Sequence, residues 1–297
     1  MKNNVFLIGN GINNINTTYT WYDLIEDLIK YIGAKGRIHT INKPFPLLYE
    51  EIVASAIRKN DISETDIKKF IAEQIKKLQP NKIHQRIITS GVQHILTTNY
   101  DFTLEQLLTS QTDQMKNEGI VKENLYSIFR HHQLNDKYIW HIHGDRNHLL
   151  SITLGYEHYS GYLQQMRNYV ATGASYTNLK LEPLIIRKNT SDRTIIYSWL
   201  DFFFKNNIYI IGLTLDFIEI HLWWLLTFRQ RTIQSKKLKL NNSITYFYPD
   251  FLESKIQHKL QLLNAYEIKT KSMPFDEKNE ADYYLRILDK IEKHGIR

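Results

Sequence analysis

The 297-residue chain contains no cysteine, so it has no disulfide, no cysteine nucleophile and no cysteine-ligated zinc or iron–sulfur site. Six prolines and twelve glycines are too few for a collagen-like or linker-rich protein. The longest apolar run, residues 217–228, is interrupted by Glu219 and His221 and is too short to span a bilayer. The N-terminus lacks the charged, apolar and small-residue regions of a signal peptide. These absences predict a cytoplasmic protein that does not associate with a membrane.

The remaining composition is that of a globular protein, with 42% hydrophobic and 23% charged residues. The net charge of +7 and the pI of about 9.2 indicate first a basic surface with no dedicated partner, and the same sign of charge would suit a phosphate-bearing ligand. That ligand can be a small polyanion such as a dinucleotide. Nucleic-acid binding is the weakest alternative, and a steep loss of binding with added salt would reveal it.

Strand and helix patterns alternate along the whole chain, which predicts an α/β fold: a Rossmann-like, doubly wound, mostly parallel sheet. We expect one domain over residues 1–297 with a small helical insert at about 45–90. The pattern predicts strands at 5–8, 92–98, 125–129, 138–142, 208–211, 244–247 and 266–271. It predicts helices at 21–31, twice within 45–78, and at 83–90, 103–108, 156–170, 194–205, 218–231, 252–263 and 280–293. Residues 171–191 have no readable pattern.

Polar or glycine-containing motifs follow four of the predicted strands, at the carboxyl ends where ligands bind in parallel α/β sheets. These motifs are Gly9–Asn13, Thr97–Asp101, His141–Asp145 and Gly212–Asp216. Because such strand ends meet at one edge of the sheet, we expect the four motifs to lie close together.

The first motif, Gly9-Asn10-Gly11, resembles half of a dinucleotide-binding fingerprint, in which glycines let the backbone approach a diphosphate. Asn14 stands where the third glycine would be, so a simple turn is an equal alternative. In the last motif, Gly212 can allow a similar approach and Thr214 can hydrogen-bond a phosphate. Asp216 is expected to cap the following helix.

The two middle motifs carry groups suited to chemistry. Asn99 can hold a ribose hydroxyl or a water, and Asp101 can orient a neighbour; the alternative is a turn that both residues satisfy locally. His143 can act as a general base near neutral pH, although a purely structural histidine pair is also open. A metal site of His141, His143 and Asp145 is a further alternative, but the HxHxDH pattern needs histidine at position 146, which is Arg146.

Taken together and in this order, the segments resemble the Sir2-like NAD-hydrolysing domains of bacterial antiphage defence. The resemblance runs from the first strand to about residue 270. It rests on Leu7–Asn13, Thr97–Asp101, His141–Asp145, Ile152–Leu154 and Ile210–Asp216, of which the TTNYD and HGD segments are the most specific.

The resemblance implies that Asn99 and His143 are the catalytic pair and that NAD is the substrate. It implies that Gly9, Gly11 and Gly212 approach the phosphates or the adenosine ribose. Asp101 would support Asn99. The predicted cofactor-binding set is Gly9, Asn10, Gly11, Asn13, Asp101, Gly212 and Thr214, and no metal is expected.

The function that follows is an NAD glycohydrolase that releases nicotinamide and ADP-ribose, as an NAD-depleting effector of antiphage defence acting by abortive infection. A homo-oligomer or a partner protein is expected to control it. Lysine deacylation is less favoured because the four-cysteine zinc ribbon of classical sirtuins cannot form here. The alternatives are a non-catalytic sensor of NAD or ADP-ribose, and a metal-dependent hydrolase using His141, His143 and Asp145.

Overall fold

A seven-stranded, mostly parallel sheet forms the centre of the protein. The structure is a computed structural model that describes residues 3–16, 19–176, 179–187, 195–236 and 238–294. Its strands are β1 (Asn4–Ile8), β2 (His94–Thr97), β3 (His132–Leu134), β4 (Lys137–His141), β5 (Ala174–Tyr176), β6 (Leu179–Leu181), β7 (Asn207–Ile211), β8 (Ile244–Pro249) and β9 (Lys269–Met273). The sheet order is β3-β4-β2-β1-β7-β8-β9, with only β3 antiparallel to its neighbour.

Helices connect these strands and cover both faces of the sheet. They are α1 (Trp21–Tyr31), α2 (Phe45–Asn60), α3 (Glu64–Ile75), α4 (Lys82–Ile88), α5 (Tyr156–Arg167), α6 (Leu184–Arg187), α7 (Phe202–Lys205), α8 (Ile220–Gln234), α9 (Gln257–Ala265) and α10 (Glu280–His294). No helix in these described ranges is long and apolar enough to cross a lipid bilayer.

Side-chain alternation along β1 shows how the two faces are filled. Val5 and Leu7 pack into one apolar cluster with α5, α8 and α9. Phe6 and Ile8 point the other way, into a cluster with α4 and α10. A central strand that is apolar on both faces is typical of a parallel sheet covered on both sides. The predicted Rossmann-like, doubly wound fold is therefore confirmed.

The helices within the predicted insert at about 45–90 pack in two different places. Helices α2 and α3 pack with α1 into a third apolar cluster, which also holds Ile152 and Leu154. Ser63 caps α3, because its hydroxyl accepts the amide hydrogen of Asp66. Helix α4 instead packs on the sheet beside α10. The single-domain assignment over 1–297 stays a prediction.

The register of the central strands aligns the ends that precede the four motifs. Ile8 of β1 lies opposite Thr97 of β2 on one side and Ile211 of β7 on the other. Thr97 in turn lies opposite His141 of β4. The four strands are adjacent in the sheet, so their following loops emerge at one edge.

Three predicted elements differ from the structure. Residues 125–129 are not a strand, because the Glu123 carboxylate accepts the amide hydrogens of Ile128, Phe129 and Arg130 and removes them from sheet pairing. The helix predicted at 103–108 is a single 3-10 turn at Glu105–Leu107. Within 194–205, residue 194 lies outside the described residues, and helical structure begins only at Trp199.

The region without a readable pattern contains a short hairpin. Strands β5 and β6 pair antiparallel, and α6 follows them. Residues 177–178 and 188–191 of this region lie outside the described residues.

Candidate functional site

A cavity of about 430 Å³ lies at the carboxyl ends of β1, β2, β4 and β7. Residues from all four predicted motifs line it: Asn10, Gly11, Asn13, Thr98, Asn99, Tyr100, Asp101, His143, Gly212, Leu213, Thr214 and Asp216. The expected convergence of the motifs is therefore present. Of the predicted site residues, only Gly9 is not among those lining this cavity. A concave site of this volume is in the range of small-molecule and cofactor pockets.

The glycines bring two loops into close contact. A Cβ at position 9 would lie 2.6 Å from the Gly212 carbonyl oxygen, and one at position 11 would lie 2.8 Å from the same atom. The Gly9 amide donates to the Ile211 carbonyl, and the Gly11 amide donates to Gly212. Both amides are thus engaged within the protein, and both positions need glycine for packing. Phosphate contact by Gly9, Gly11 and Gly212 stays a prediction.

A chain of hydrogen bonds holds the first loop against the second. Asn13 donates from Nδ2 to Asp101 Oδ2 at 2.8 Å and to Asn10 Oδ1 at 2.9 Å. Nδ1 of His84 accepts the Asn81 amide hydrogen, so its Nε2 carries the proton that it donates to Asn13 Oδ1 at 2.9 Å. Asp101 was expected to support Asn99, but its hydrogen bonds go to Asn13 and to the Thr103 amide.

The Asn99 side chain is held loosely at the cavity wall. It is 8% exposed, and its Nδ2 lies 3.5 Å from the Gly9 carbonyl oxygen, at the limit of a hydrogen bond. The Asn99 backbone is held more firmly, since its amide donates to Thr97 Oγ1 at 3.0 Å. The side-chain amide can therefore turn towards a bound hydroxyl or water while the backbone stays in place.

His143 lines the cavity and pairs with a second histidine. Its Nε2 lies 2.9 Å from Nε2 of His221, at the start of α8. Two imidazoles can share such a bond only when one donates and the other accepts. Burial lowers the pKa of His143 to about 3 and holds that of His221 well below its usual range. Both rings are therefore neutral at physiological pH, so the predicted base has an unprotonated nitrogen.

His141 is not part of this pair and lies in a separate buried cluster. Its Nδ1 donates to the Asn99 carbonyl at 2.7 Å, and its Nε2 donates to Glu105 Oε1 at 2.7 Å. Both partners only accept, so the ring carries both protons and a positive charge. Burial lowers the pKa of His141, but the Glu105 charge outweighs it and raises that pKa to about 9. The His141 imidazolium therefore fixes the Asn99 backbone through the hydrogen bond to its carbonyl.

The predicted alternative metal set does not come together. His143 pairs with His221, and Asp145 accepts a hydrogen bond from His148 Nδ1 at 3.0 Å. Within the described part of the chain, the one group with metal-ligand spacing is Glu105, His132 and His141. Glu105 Oε1 lies 2.8 Å from His132 Nδ1 and 2.7 Å from His141 Nε2, which are hydrogen-bond distances. Ligands of one zinc ion at about 2.0–2.2 Å would stand further apart.

Two carboxyl groups and an aromatic wall complete the cavity. Asp216 accepts the Ile218 amide hydrogen and lies before α8, whose N-cap is Glu219. The prediction that Asp216 caps this helix is therefore wrong.

An aromatic wall of the cavity is formed by Trp21, Phe45 and Tyr100, and the ring centroids of Trp21 and Phe45 are 5.1 Å apart.

Sequence reasoning missed His84, Glu219 and His221 as site residues. The apolar run around Glu219 and His221 was interrupted by two polar residues, and that interruption was the available signal. His84 lay inside a predicted helix with no distinguishing spacing. Only the fold places Glu219 at the cavity wall and brings His84 and His221 into hydrogen bonds with the site residues Asn13 and His143.

Comparison with known families bears directly on this site. Residues 93–186 match the family model of the SIR2-like domain. This segment of the chain is similar to a SIR2-like domain. The match includes Asn99 and His143, whereas the Gly9–Asn13 and Gly212–Asp216 segments lie outside it. No curated protein matches the chain.

The match confirms the predicted resemblance to a Sir2-like domain. SIR2-like domains use NAD, so the family supports an NAD-related activity and an NAD-dependent enzyme. The cavity described above lies at the end of the sheet where an α/β fold of this kind binds its ligand.

Proposed function

We propose that this protein is an NAD glycohydrolase, which cleaves the nicotinamide–ribose bond of NAD to give nicotinamide and ADP-ribose. The observation that carries the proposal is the position of Asn99 and His143, which line one cavity within a SIR2-like domain. They lie 44 positions apart in the chain, after two adjacent strands of the sheet.

The walls of the cavity suit a dinucleotide. Trp21, Phe45 and Tyr100 offer ring surfaces to a base. None of the described residues lining the cavity is lysine or arginine. A diphosphate would therefore be bound by side-chain amides, such as those of Asn10 and Asn14, and by hydroxyls, such as that of Thr214, rather than by side-chain cations.

Cleavage of the nicotinamide–ribose bond does not need a general acid. The pyridinium ring is already a good leaving group, and the bond breaks through an oxocarbenium-like ribosyl centre. Asn99 would orient the ribose or the attacking water, and His143 would accept the proton that water loses. With Nε2 of His143 donating its hydrogen to Nε2 of His221, Nδ1 would be the unprotonated nitrogen that faces the nucleophile.

Nicotinamide release from NAD tests this proposal. Purified wild type, Asn99→Ala and His143→Ala would be incubated with NAD and the products separated by chromatography. We expect release by the wild type and a loss of about 100-fold or more in each variant. His39→Ala and Asn279→Ala, which change exposed residues, serve as matched controls with unchanged rates.

Folding of each variant would be checked by thermal unfolding. Wild-type protein that binds NAD without releasing nicotinamide would contradict hydrolysis and favour the sensor alternative. Release that persists in both variants would show that another pair of groups does the chemistry.

We further propose that the activity depletes NAD in antiphage defence by abortive infection, and that a homo-oligomer or a partner protein restrains it. An unrestrained hydrolase of NAD would be toxic to its own cell. The mass of the active species, measured by light scattering alongside specific activity, tests the restraint. A fully active isolated monomer would contradict it.

A further inference from the structure

Glu219 is a buried carboxyl group at the cavity, and one of its two oxygens has no hydrogen-bond partner among the described residues. It lines the cavity and is 9% exposed. It stands at the N-cap of α8, yet its side chain makes no capping hydrogen bond. Its Oε2 is buried and has no hydrogen-bond partner among the residues that the structure describes. A buried polar atom left without a partner is costly, so each one in a native protein needs an explanation, such as a catalytic role or a bound water or ion.

The groups around Glu219 leave the region poor in positive charge. Asp216 lines the same cavity and faces Glu219, whereas Lys259 of α9 is the nearby cation. Lys259 donates to the Thr214 carbonyl at 2.8 Å rather than to Glu219. The other titratable groups whose pKa values respond to the Glu219 charge are the hydroxyls of Tyr100, Tyr159 and Tyr246.

Glu219 and His143 line the same cavity. The Tyr159 ring packs edge-on against the His143 ring with centroids 5.9 Å apart, and the charge of Glu219 contributes to raising the pKa of Tyr159. Two residues further along the chain, His221 pairs with His143. The charge of Glu219 also contributes to raising the pKa of Tyr100, which is next to Asn99 in the chain. Glu219 thus lines the same cavity as both members of the proposed catalytic pair.

We propose that Glu219 is a further catalytic residue, which binds the cationic nicotinamide end of an oxidised dinucleotide and stabilises the positive charge on the ribosyl group as nicotinamide leaves. This inference rests on the proposed function. It specifies the ligand class of the site: a dinucleotide with a positively charged ring would bind more tightly than the neutral reduced form.

The reaction balances around an unchanged carboxylate. The bond between C1′ and the ring nitrogen breaks, its electron pair stays on nicotinamide, and the positive charge moves to the ribosyl group. The oxygen of water bonds to C1′, and the proton it loses goes to His143 and then to solvent. Glu219 faces a cation throughout these steps, first the ring and then the ribosyl centre.

Ionisation of Glu219 gives the proposal a distinctive signature. Burial, with the neighbouring Asp216, raises the pKa of Glu219 to about 8, so the free protein holds this group protonated at pH 7. A bound cation favours the carboxylate and lowers its pKa. Binding of an oxidised dinucleotide therefore releases a proton, and its affinity rises as pH rises towards 8.

Calorimetry with an uncleavable ligand measures this release. A carbocyclic NAD analogue keeps the pyridinium charge but replaces the ribose ring oxygen, so it cannot form the oxocarbenium. Its binding would be measured at pH 7 in buffers of different ionisation enthalpy, beside NADH, with wild type, Glu219→Gln and the exposed control Glu277→Gln. Thermal unfolding would verify that the variants fold, and nicotinamide release from NAD would be measured in parallel.

We expect wild type and Glu277→Gln to release a fraction of one proton with the carbocyclic analogue and none with NADH. We expect both to prefer the analogue by roughly tenfold. Glu219→Gln should lose the release and the preference together. Equal affinity of the wild type for the two ligands, or no binding of either, would overturn the inference without any variant. Proton release that persists in Glu219→Gln would do so as well.

The two proposals fail in different ways. Wild type that shows the Glu219-dependent proton release but no nicotinamide release would contradict the hydrolase and retain the Glu219 site. Nicotinamide release that is unaffected by Glu219→Gln, with no preference for the charged ring, would contradict only the assignment of Glu219.

Discussion

Nε2 of His143 lies 2.9 Å from Nε2 of His221, so the proposed base is one half of a buried imidazole pair. The rings of Tyr159 and Tyr162 pack beside His221, each with its centroid 5.4 Å away. A histidine in this setting has one nitrogen fixed by its partner and only the other left for substrate. His221 thereby determines which nitrogen of His143 can act.

Substitution of His221 is expected to reduce nicotinamide release through its effect on His143. His221→Leu removes the hydrogen-bond partner and should lower kcat by about 100-fold, in the range of general-base effects. His221→Gln keeps a group that can bond Nε2 and should retain more activity. Rates and dinucleotide affinity would be measured for both, with the exposed His258→Gln as control. Equal losses in the two variants would contradict a positioning effect and indicate a packing defect.

The Glu105–His141 pair is expected to stabilise the fold and to do so in a pH-dependent way. Glu105→Gln leaves the buried His141 charge without its counter-ion and should lower the free energy of unfolding by about 3 to 5 kcal/mol near pH 6. The folded pKa of His141, about 9, is above its unfolded value of about 6.5. Its contribution is therefore complete below pH 6.5 and is lost as pH rises through 9.

Urea unfolding of wild type and Glu105→Gln between pH 6 and pH 9 measures this loss. The difference between the two proteins should shrink as pH rises. The exposed Arg286–Asp282 pair offers a comparison, since Asp282→Asn should cost less than about 1 kcal/mol at any of these pH values. A difference for Glu105→Gln that is independent of pH would contradict a charged His141.

Gly9 is expected to matter for packing between the β1 and β7 loops. Gly9→Ala places a methyl 2.6 Å from the Gly212 carbonyl oxygen and should destabilise the protein by about 1 to 3 kcal/mol. Gly36→Ala tests backbone strain alone, because position 36 has a positive φ of 76° and no neighbouring atom within 4 Å. Chemical denaturation of both variants would distinguish the two costs. A Gly9→Ala protein as stable as wild type would show that the loops can separate.

Chelator treatment is expected to leave the activity unchanged. His141, His143 and Asp145 each have other hydrogen-bond partners, so no proposed step uses a metal. Nicotinamide release would be measured before and after EDTA, and metal content by mass spectrometry. Loss of activity on chelation, restored by zinc, would support the metal-dependent alternative and direct attention to Glu105, His132 and His141.

Local patterns predicted the regular elements closely where an apolar face was clear. Helix α1 lies at Trp21–Tyr31, as its helical spacing indicated. The prediction of a strand at 125–129 was wrong because an apolar run does not show which groups accept its backbone amide hydrogens. In this segment the Glu123 carboxylate accepts three of them. The hairpin of β5 and β6 was missed because its strands have only three residues each.

The sequence by itself determined the alternating α/β order and placed polar motifs after four strands, because strand and helix periodicity and glycine punctuation are local properties of the chain. It also singled out Asn99 and His143. Only the tertiary structure decided that His221 and Glu219 reach the same cavity, that Asp101 bonds Asn13, and that His141 is charged. Those outcomes depend on which side chains distant in the chain become neighbours, and on how far burial and a nearby charge move each pKa.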